Sequence, residues 1–130
     1  MTINTISAWV AISGFTLMTV FQLALAAGAP LGEAAWGGQH RVLPTKLRIG
    51  SAVSVGIFLL GIACVLETAH IATVLNAPAL CRVVVWGLTG LTALSTVGNA
   101  MSTSKLERAI MTAACLTMTA ACLTMLLTSK

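Results

Sequence analysis

The apolar and polar positions of this chain form four long apolar runs that are separated by short polar segments. The runs cover residues 6–28, 49–66, 83–104 and 109–129, and every charged residue lies outside them. A helix rises about 1.5 Å per residue, so about 20 residues cross a hydrocarbon layer near 30 Å thick. Because each run has about this length, the pattern predicts an all-α membrane protein with four transmembrane helices. The short connections favour one antiparallel, up-down bundle that forms a single domain over residues 1–130.

The composition agrees with a membrane protein and not with a soluble one. Hydrophobic residues make up 58% of the chain and charged residues only 8%, which leaves too little polar surface for a soluble fold. The net charge of +4 comes with only seven Lys and Arg residues, which are spread over the polar segments without a basic stripe. This distribution disfavours nucleic acid as a partner, and it leaves the lipid bilayer as the predicted surroundings.

The positions of the cations predict the orientation in the membrane. Five cations follow the first and third runs and two lie on the opposite side, namely Arg41, Lys46, Arg48, Lys105 and Arg108 against Arg82 and Lys130. Because cytoplasmic loops carry an excess of Lys and Arg, residues 29–48 and 102–108 are predicted to be cytoplasmic and both termini outside. The predicted location is a bacterial inner membrane. Residues 24–26 resemble a signal-peptidase site, but no cation precedes the first run, which we interpret as a retained helix.

The connection between the first two runs has the most unusual composition. Glycines at positions 28, 32, 37 and 38 permit backbone conformations that other residues rarely adopt. The same connection carries a tryptophan and several ionisable side chains that suit anionic lipid headgroups. The predicted polar or lipid-headgroup site consists of Glu33, Trp36, His40, Arg41, Lys46 and Arg48. A membrane-surface anchor is the interpretation we favour, and a re-entrant loop is the alternative.

A carboxylate and an imidazole, Glu67 and His70, lie three residues apart just after the second run. This spacing occurs in carboxylate-bridged metal sites of helix bundles, but such a site needs more acids on the same side. The other acids, Glu33 and Glu107, are predicted on the opposite side of the membrane. We therefore predict no metal site and no cofactor. Glu67 and His70 are interpreted as an interfacial pair, with Arg82 as a partner across the second connection.

The polar side chains inside the runs are Gln22, Asn99 and a scatter of Ser and Thr. An amide in hydrocarbon needs a hydrogen-bond partner, so Gln22 and Asn99 are expected to face protein. Both lie toward the predicted cytoplasmic ends of their helices. They either line a polar vestibule beneath the first connection or form hydrogen bonds between helices, and we favour the second interpretation.

The last run contains an exact repeat, because residues 112–118 and 119–125 both read TAACLTM. A period of seven keeps Cys115 and Cys122 on one helical face with the methionines, which suits packing against neighbouring helices. A Cys and Met stripe for Cu(I) is the alternative. Cys115 and Cys122 lie too far apart along the helix to form a disulfide with each other. A bridge between Cys64 and Cys81 is possible, but buried free thiols are the simpler prediction.

A family resemblance is carried by two segments, GAPLGEAAWGGQHRVLPTKLRIGSAVS at residues 28–54 and NAMSTSKLERA at residues 99–109. They resemble an uncharacterised family of small bacterial four-helix integral membrane proteins. The resemblance covers the two predicted cytoplasmic connections and the adjoining helix ends, about a third of the chain. It implies a four-helix fold in a membrane and supplies no activity. The TAACLTM repeat is not part of it.

Three classes of function remain. Spans without charged residues and pairs of small residues, such as Ala52 with Gly56 and Gly87 with Gly90, favour an accessory or structural subunit. Such a subunit assembles with itself, as a homo-oligomer, or with a larger membrane complex. A small-molecule or ion transporter or channel is the alternative, although compact four-helix exporters use a carboxylate where the first run offers only Gln22. A lipid-binding or lipid-modifying protein is the second alternative. We assign no catalytic residue, and an enzyme is disfavoured.

Overall fold

The computed structural model describes residues 1–129, which consist of helices and their connections. The four main helices are α1 (Ile3–Ala26), α2 (Thr45–Thr68), α3 (Pro78–Ala100) and α4 (Thr112–Thr128). A π-helical turn, Glu107–Met111, leads directly into α4 and extends the fourth span. All four spans are long and apolar enough to cross a membrane. The predicted all-α fold with four transmembrane helices is confirmed, and the chain is a multi-pass membrane protein. Lys130, one of the cations used to predict orientation, lies outside the described residues.

The first three helices begin earlier than the apolar runs, because polar residues take part in their first turns. The Thr2 side chain caps α1 by accepting a hydrogen bond from the Thr5 amide at 3.2 Å. α2 begins directly after Pro44 and carries two of the predicted loop cations near its start. Pro78 is the first residue of α3, a position where a missing amide hydrogen costs little. The runs therefore mark the apolar part of each helix and not its ends.

The helices form a ring in which each packs against its two neighbours: α1 and α3 both contact α2 and α4. Connection 1 (residues 27–44) and connection 3 (residues 101–106) meet at one end, which we call the two-loop end. There the Ser104 hydroxyl donates to the Glu33 carbonyl oxygen at 2.5 Å. The first residues of the chain, Ser129 and connection 2 (residues 69–77) lie at the other end, which we call the termini end. There Asn4 Nδ2 donates to the Met125 carbonyl oxygen at 3.0 Å. This arrangement is the antiparallel, up-down bundle expected from the sequence.

The main apolar core lies toward the termini end and receives side chains from every helix. Its largest buried members include Phe15 of α1, Val65 of α2, Val85 of α3 and Met118 and Met125 of α4. All four cysteines are buried free thiols. The seven-residue repeat places its cysteines and methionines inside the bundle, as expected for a packing face. The termini end is therefore the closely packed half of the molecule.

Candidate ligand-binding cavity

A cavity of about 410 Å³ occupies the bundle toward the two-loop end. Side chains from all four spans and from connection 1 line it. Its floor toward the termini end includes Met118 of the main core and Phe58, whose ring centroid lies 5.8 Å from that of Phe15. The polar lining groups come mainly from Gln22, Ser54, Thr92, Ser95, Asn99 and Glu107. The bundle thus contains a mixed apolar and polar space next to its closely packed half.

Gln22 and Asn99 both line this cavity, but their hydrogen bonding differs. Asn99 Nδ2 donates to the Cys115 sulfur across the α3–α4 interface at 3.4 Å. Gln22 is only 9% exposed, and its Oε1 has no hydrogen-bond partner among the described residues. A buried acceptor without a partner costs about 1–3 kcal/mol. The structure therefore brings both predicted amides to one space, and it leaves one of them with an unused acceptor.

Glu107 is the charged residue of the cavity, and it is only 6% exposed. It lies on the π-helical turn before α4, a backbone irregularity that is frequent at functional sites. Its carboxylate accepts hydrogen bonds from the Ser102 hydroxyl at 2.6 Å and, more weakly, from the Gly37 amide at 3.4 Å. Both donors are neutral. Glu107 thus places a buried carboxyl group at the cavity, and it forms no ion pair with a Lys, Arg or His side chain in the part of the chain that the structure describes.

Sequence reasoning placed Glu107 in a short polar connection and missed its position in the bundle. The available signal was the spacing Ser104-Lys105-Leu106-Glu107, which fits a capping box at the start of a helix. In the structure the Glu107 amide does donate to the Ser104 hydroxyl at 3.3 Å. The Glu107 carboxylate, however, turns toward Ser102 and connection 1. Only the tertiary contact with connection 1 reveals that the side chain faces the cavity.

Connection 1 covers the two-loop end of the cavity through Ala34, Ala35 and Trp36. The Trp36 indole nitrogen donates to the Ser51 hydroxyl at 3.1 Å, and the ring lies against Gly50, where a Cβ would be 3.0 Å from it. Ala35 also joins a small apolar cluster with Leu25 and Leu43. Connection 1 is therefore docked onto the helices by specific contacts and forms one wall of the cavity.

The six residues of the predicted headgroup site occupy different environments. Trp36 lines the cavity, and Arg48 is half-buried, with its Nε donating to the Ala26 carbonyl oxygen at 2.9 Å. Trp36 is nevertheless 44% exposed. The other four residues are exposed and do not line the cavity: Glu33, His40, Arg41 and Lys46. Exposed groups at this end of the bundle remain available to lipid headgroups. The structure thus separates the predicted set into two docked residues and four surface residues.

At the termini end, Glu67, His70 and Arg82 line one shallow cavity of about 400 Å³. The Glu67 carboxylate accepts hydrogen bonds from four successive backbone amides of connection 2, at residues 74–77 and distances of 2.5 to 3.2 Å. Arg82 donates to the Leu126 carbonyl oxygen at 2.9 Å, at the end of α4. Glu67 and Arg82 thus hold connection 2 and the α4 terminus in place, which is a structural role.

Two other features of the molecule are weaker candidates for a binding site. A larger groove of about 630 Å³ between α1 and α4 opens outward and is lined almost entirely by apolar side chains, so lipid acyl chains can fill it. Within residues 1–129, no group of three or more His, Cys, Asp and Glu side chains is arranged to hold a metal ion. The cavity with Gln22, Asn99 and Glu107 is therefore the strongest candidate for binding.

The chain matches no protein-family model, no curated protein and no solved structure. The family resemblance of residues 28–54 and 99–109 stays a prediction. The geometry of the cavity is therefore the basis for inferring what the protein binds.

Proposed function

We propose that this protein binds a small amphipathic molecule in the cavity and transports it across the membrane. The observation that carries this proposal is the unpaired Gln22 carboxamide oxygen, which is buried at a cavity of about 410 Å³. That volume lies within the range of about 300–1,000 Å³ that is typical of small-molecule sites. A ligand that donates a hydrogen bond to Gln22 removes the cost of the unpaired acceptor.

The lining supports an amphipathic ligand. Phe21, Phe58 and Leu91 provide apolar surface, and a small number of polar groups lie among them. Ligand sites commonly combine mostly apolar walls with a few polar groups that fix orientation. A molecule that partitions into the membrane with one polar group satisfies both parts of the lining.

The two ends of the bundle differ in packing, and this difference supports transport of the bound molecule. A transporter exposes its site to one side of the membrane at a time. Here the main core fills the termini end, while the cavity lies toward the two-loop end under connection 1. This is the arrangement expected when access from the termini side is closed.

We propose further that the two-loop end faces the cytoplasm of a bacterial inner membrane. Five cations at or beside connections 1 and 3 support this orientation: Arg41, Lys46, Arg48, Lys105 and Arg108. Arg82 is the single Lys or Arg residue at the termini end within residues 1–129. A small molecule would then reach the cavity from the cytoplasmic side.

Binding is tested with Gln22→Leu, using 1-decanol as a neutral probe with one hydroxyl group. The substitution removes the unpaired acceptor, so we expect the empty protein to gain about 1–3 kcal/mol of stability and to lose most of its thermal stabilisation by decanol. Thr19→Val is the matched control, because Thr19 is buried one turn earlier and its hydroxyl donates to the Phe15 carbonyl oxygen at 2.7 Å. The control is expected to keep the decanol response. An empty Gln22→Leu protein that is less stable than wild type would show that Gln22 has a structural partner and would remove the basis for the site.

Transport is tested by the accessibility of the cavity from each side. Ser54→Cys in a Cys115→Ala background places one thiol on the cavity wall. A transporter is expected to expose this thiol to a membrane-impermeant maleimide that is added to either face of sealed vesicles. Labelling from one face only, with and without decanol, would restrict the protein to binding.

Assembly is a second candidate, favoured by glycines on outward faces. Gly56 of α2 and Gly87 and Gly90 of α3 are exposed, and a Cβ at any of them would meet nothing within 4 Å. Small residues of this kind let helices of two chains approach closely in a membrane. Leucine at these three positions is expected to reduce a homo-oligomer to monomers in size-exclusion chromatography with light scattering, while Ala120→Leu on α4 leaves it intact. An unchanged particle mass in the glycine variants would count against this interface.

A further inference from the structure

We infer that the molecule bound in the cavity is an organic cation, a protonated amine that carries an apolar chain. This inference rests on the proposed function and adds the charge of the ligand to it. The observation that carries it is that a buried carboxylate, Glu107, forms no ion pair among the described residues and lies in the same cavity as the unpaired acceptor of Gln22.

The charged group that lines the cavity is acidic. Among the described residues that line the cavity, Glu107 alone is charged, and no Lys, Arg or His contributes to the wall. The Arg108 side chain is exposed and donates to the Ser102 carbonyl oxygen at 3.1 Å, and among the described residues it forms no ion pair with Glu107. A buried charge is costly unless a charge of opposite sign compensates it. A cationic ligand supplies this compensation, whereas an anionic ligand would add a like charge.

The unfilled hydrogen-bond acceptors of the cavity also favour a cationic ligand. Glu107 has two oxygens with about four acceptor sites, and the hydroxyl of Ser102 and the amide of Gly37 fill two of them. Gln22 Oε1 is a further acceptor without a partner. The side-chain amide of Asn99 uses one of its two N–H groups on the Cys115 sulfur. The acceptors that remain unfilled are the Gln22 oxygen and two sites of the Glu107 carboxylate, and a protonated primary amine offers three N–H donors.

The apolar part of the lining determines the rest of the ligand. Met18, Phe21, Phe58 and Leu91 face the cavity and suit an alkyl or aromatic group. A strongly hydrated inorganic cation would leave this surface without a partner. The geometry thus selects a cationic amphiphile over a metal ion.

The test compares three probes of equal chain length, decylamine, 1-decanol and decanoate, with the full-length protein in phosphatidylcholine nanodiscs at neutral pH. Trp36 reports binding in a Trp9→Phe, Trp86→Phe background, because Trp36 lines the cavity and the other two tryptophans do not. A hydrogen bond to a charged group is worth about 1.5–3 kcal/mol, so we expect decylamine to bind at least about tenfold more tightly than decanol. Decanoate is expected to bind most weakly.

Glu107→Gln is expected to remove the preference for the amine and to retain decanol binding, which also reports that the cavity is intact. Glu33→Gln is the matched control, because the Glu33 side chain is exposed and does not line the cavity. Equal affinity of the wild-type protein for decylamine and decanol would overturn the cationic ligand while leaving the proposed binding function in place. If none of the three probes changes the Trp36 signal, the proposed function itself fails. The wild-type comparison decides between these outcomes even if Glu107→Gln does not fold.

Discussion

The docking of connection 1 at the two-loop end depends on Gly38, and an alanine there should loosen it far more than an alanine at Gly37. Both glycines have positive φ, +84° for Gly37 and +71° for Gly38. A Cβ at Gly37 would meet nothing within 4 Å. A Cβ at Gly38 would overlap the Ser104 side chain and lie 2.8 Å from the Glu33 carbonyl oxygen. Both substitutions therefore strain the backbone, but only Gly38→Ala also produces a steric clash with Ser104.

The magnitude follows from the contacts that must break. An L-residue in the left-handed region costs about 1–2 kcal/mol, and this cost applies to both variants. Displacing Ser104 also breaks its hydrogen bond to the Glu33 carbonyl, at about 1 kcal/mol, and its bond to the Glu107 amide at the start of the fourth span, at about 1 kcal/mol. The difference of about 2 kcal/mol corresponds to about a 30-fold change in the opening equilibrium of connection 1.

Backbone hydrogen exchange in nanodiscs measures this equilibrium. The amides of Gly32 and Ala35 are the reporters, because they donate to the carbonyl oxygens of Arg41 and Gly32 at 2.8 and 3.2 Å. We expect Gly38→Ala to exchange about 30-fold faster at these amides than Gly37→Ala. Equal exchange in the two variants would show that connection 1 does not depend on the Ser104 contact, and the docked arrangement would then be wrong.

Two further predictions concern the ends of the bundle. Glu67→Gln leaves one acceptor oxygen where two now accept hydrogen bonds from four amides. The amides of residues 74–77 should therefore exchange faster with solvent, while those of connection 1 keep their rates. Unchanged exchange rates at residues 74–77 would contradict the role given to Glu67. Neutralising the three cations of residues 41–48 should weaken the cytoplasmic retention of connection 1. A Gln39→Cys thiol then becomes accessible to an impermeant maleimide from outside, and accessibility that does not change would count against the proposed orientation.

The four spans could be predicted from the sequence because the length of an uncharged apolar run is a local property of the chain. A run without charged residues either matches the thickness of the hydrocarbon layer or does not, and no tertiary contact is needed to judge it. Short connections between such runs then leave little freedom besides an antiparallel bundle. The inward position of the repeated cysteines and methionines likewise follows from a helical period of seven. The helix ends were less predictable, since polar first turns and caps extend each of the first three helices beyond its apolar run.

The cavity could not be derived in this way, because it depends on residues that are far apart in sequence. Gln22 was recognised as a buried amide, but whether its oxygen would find a partner depends on what α2, α3 and α4 place opposite it. Glu107 reads as a surface acid in a polar connection, and only the docking of connection 1 and the π-helical turn bury it. The contact that closes this end joins Ser104 to Glu33, 71 positions away. Hydrophobic length thus determined where the chain lies, and long-range packing decided which polar groups meet inside it.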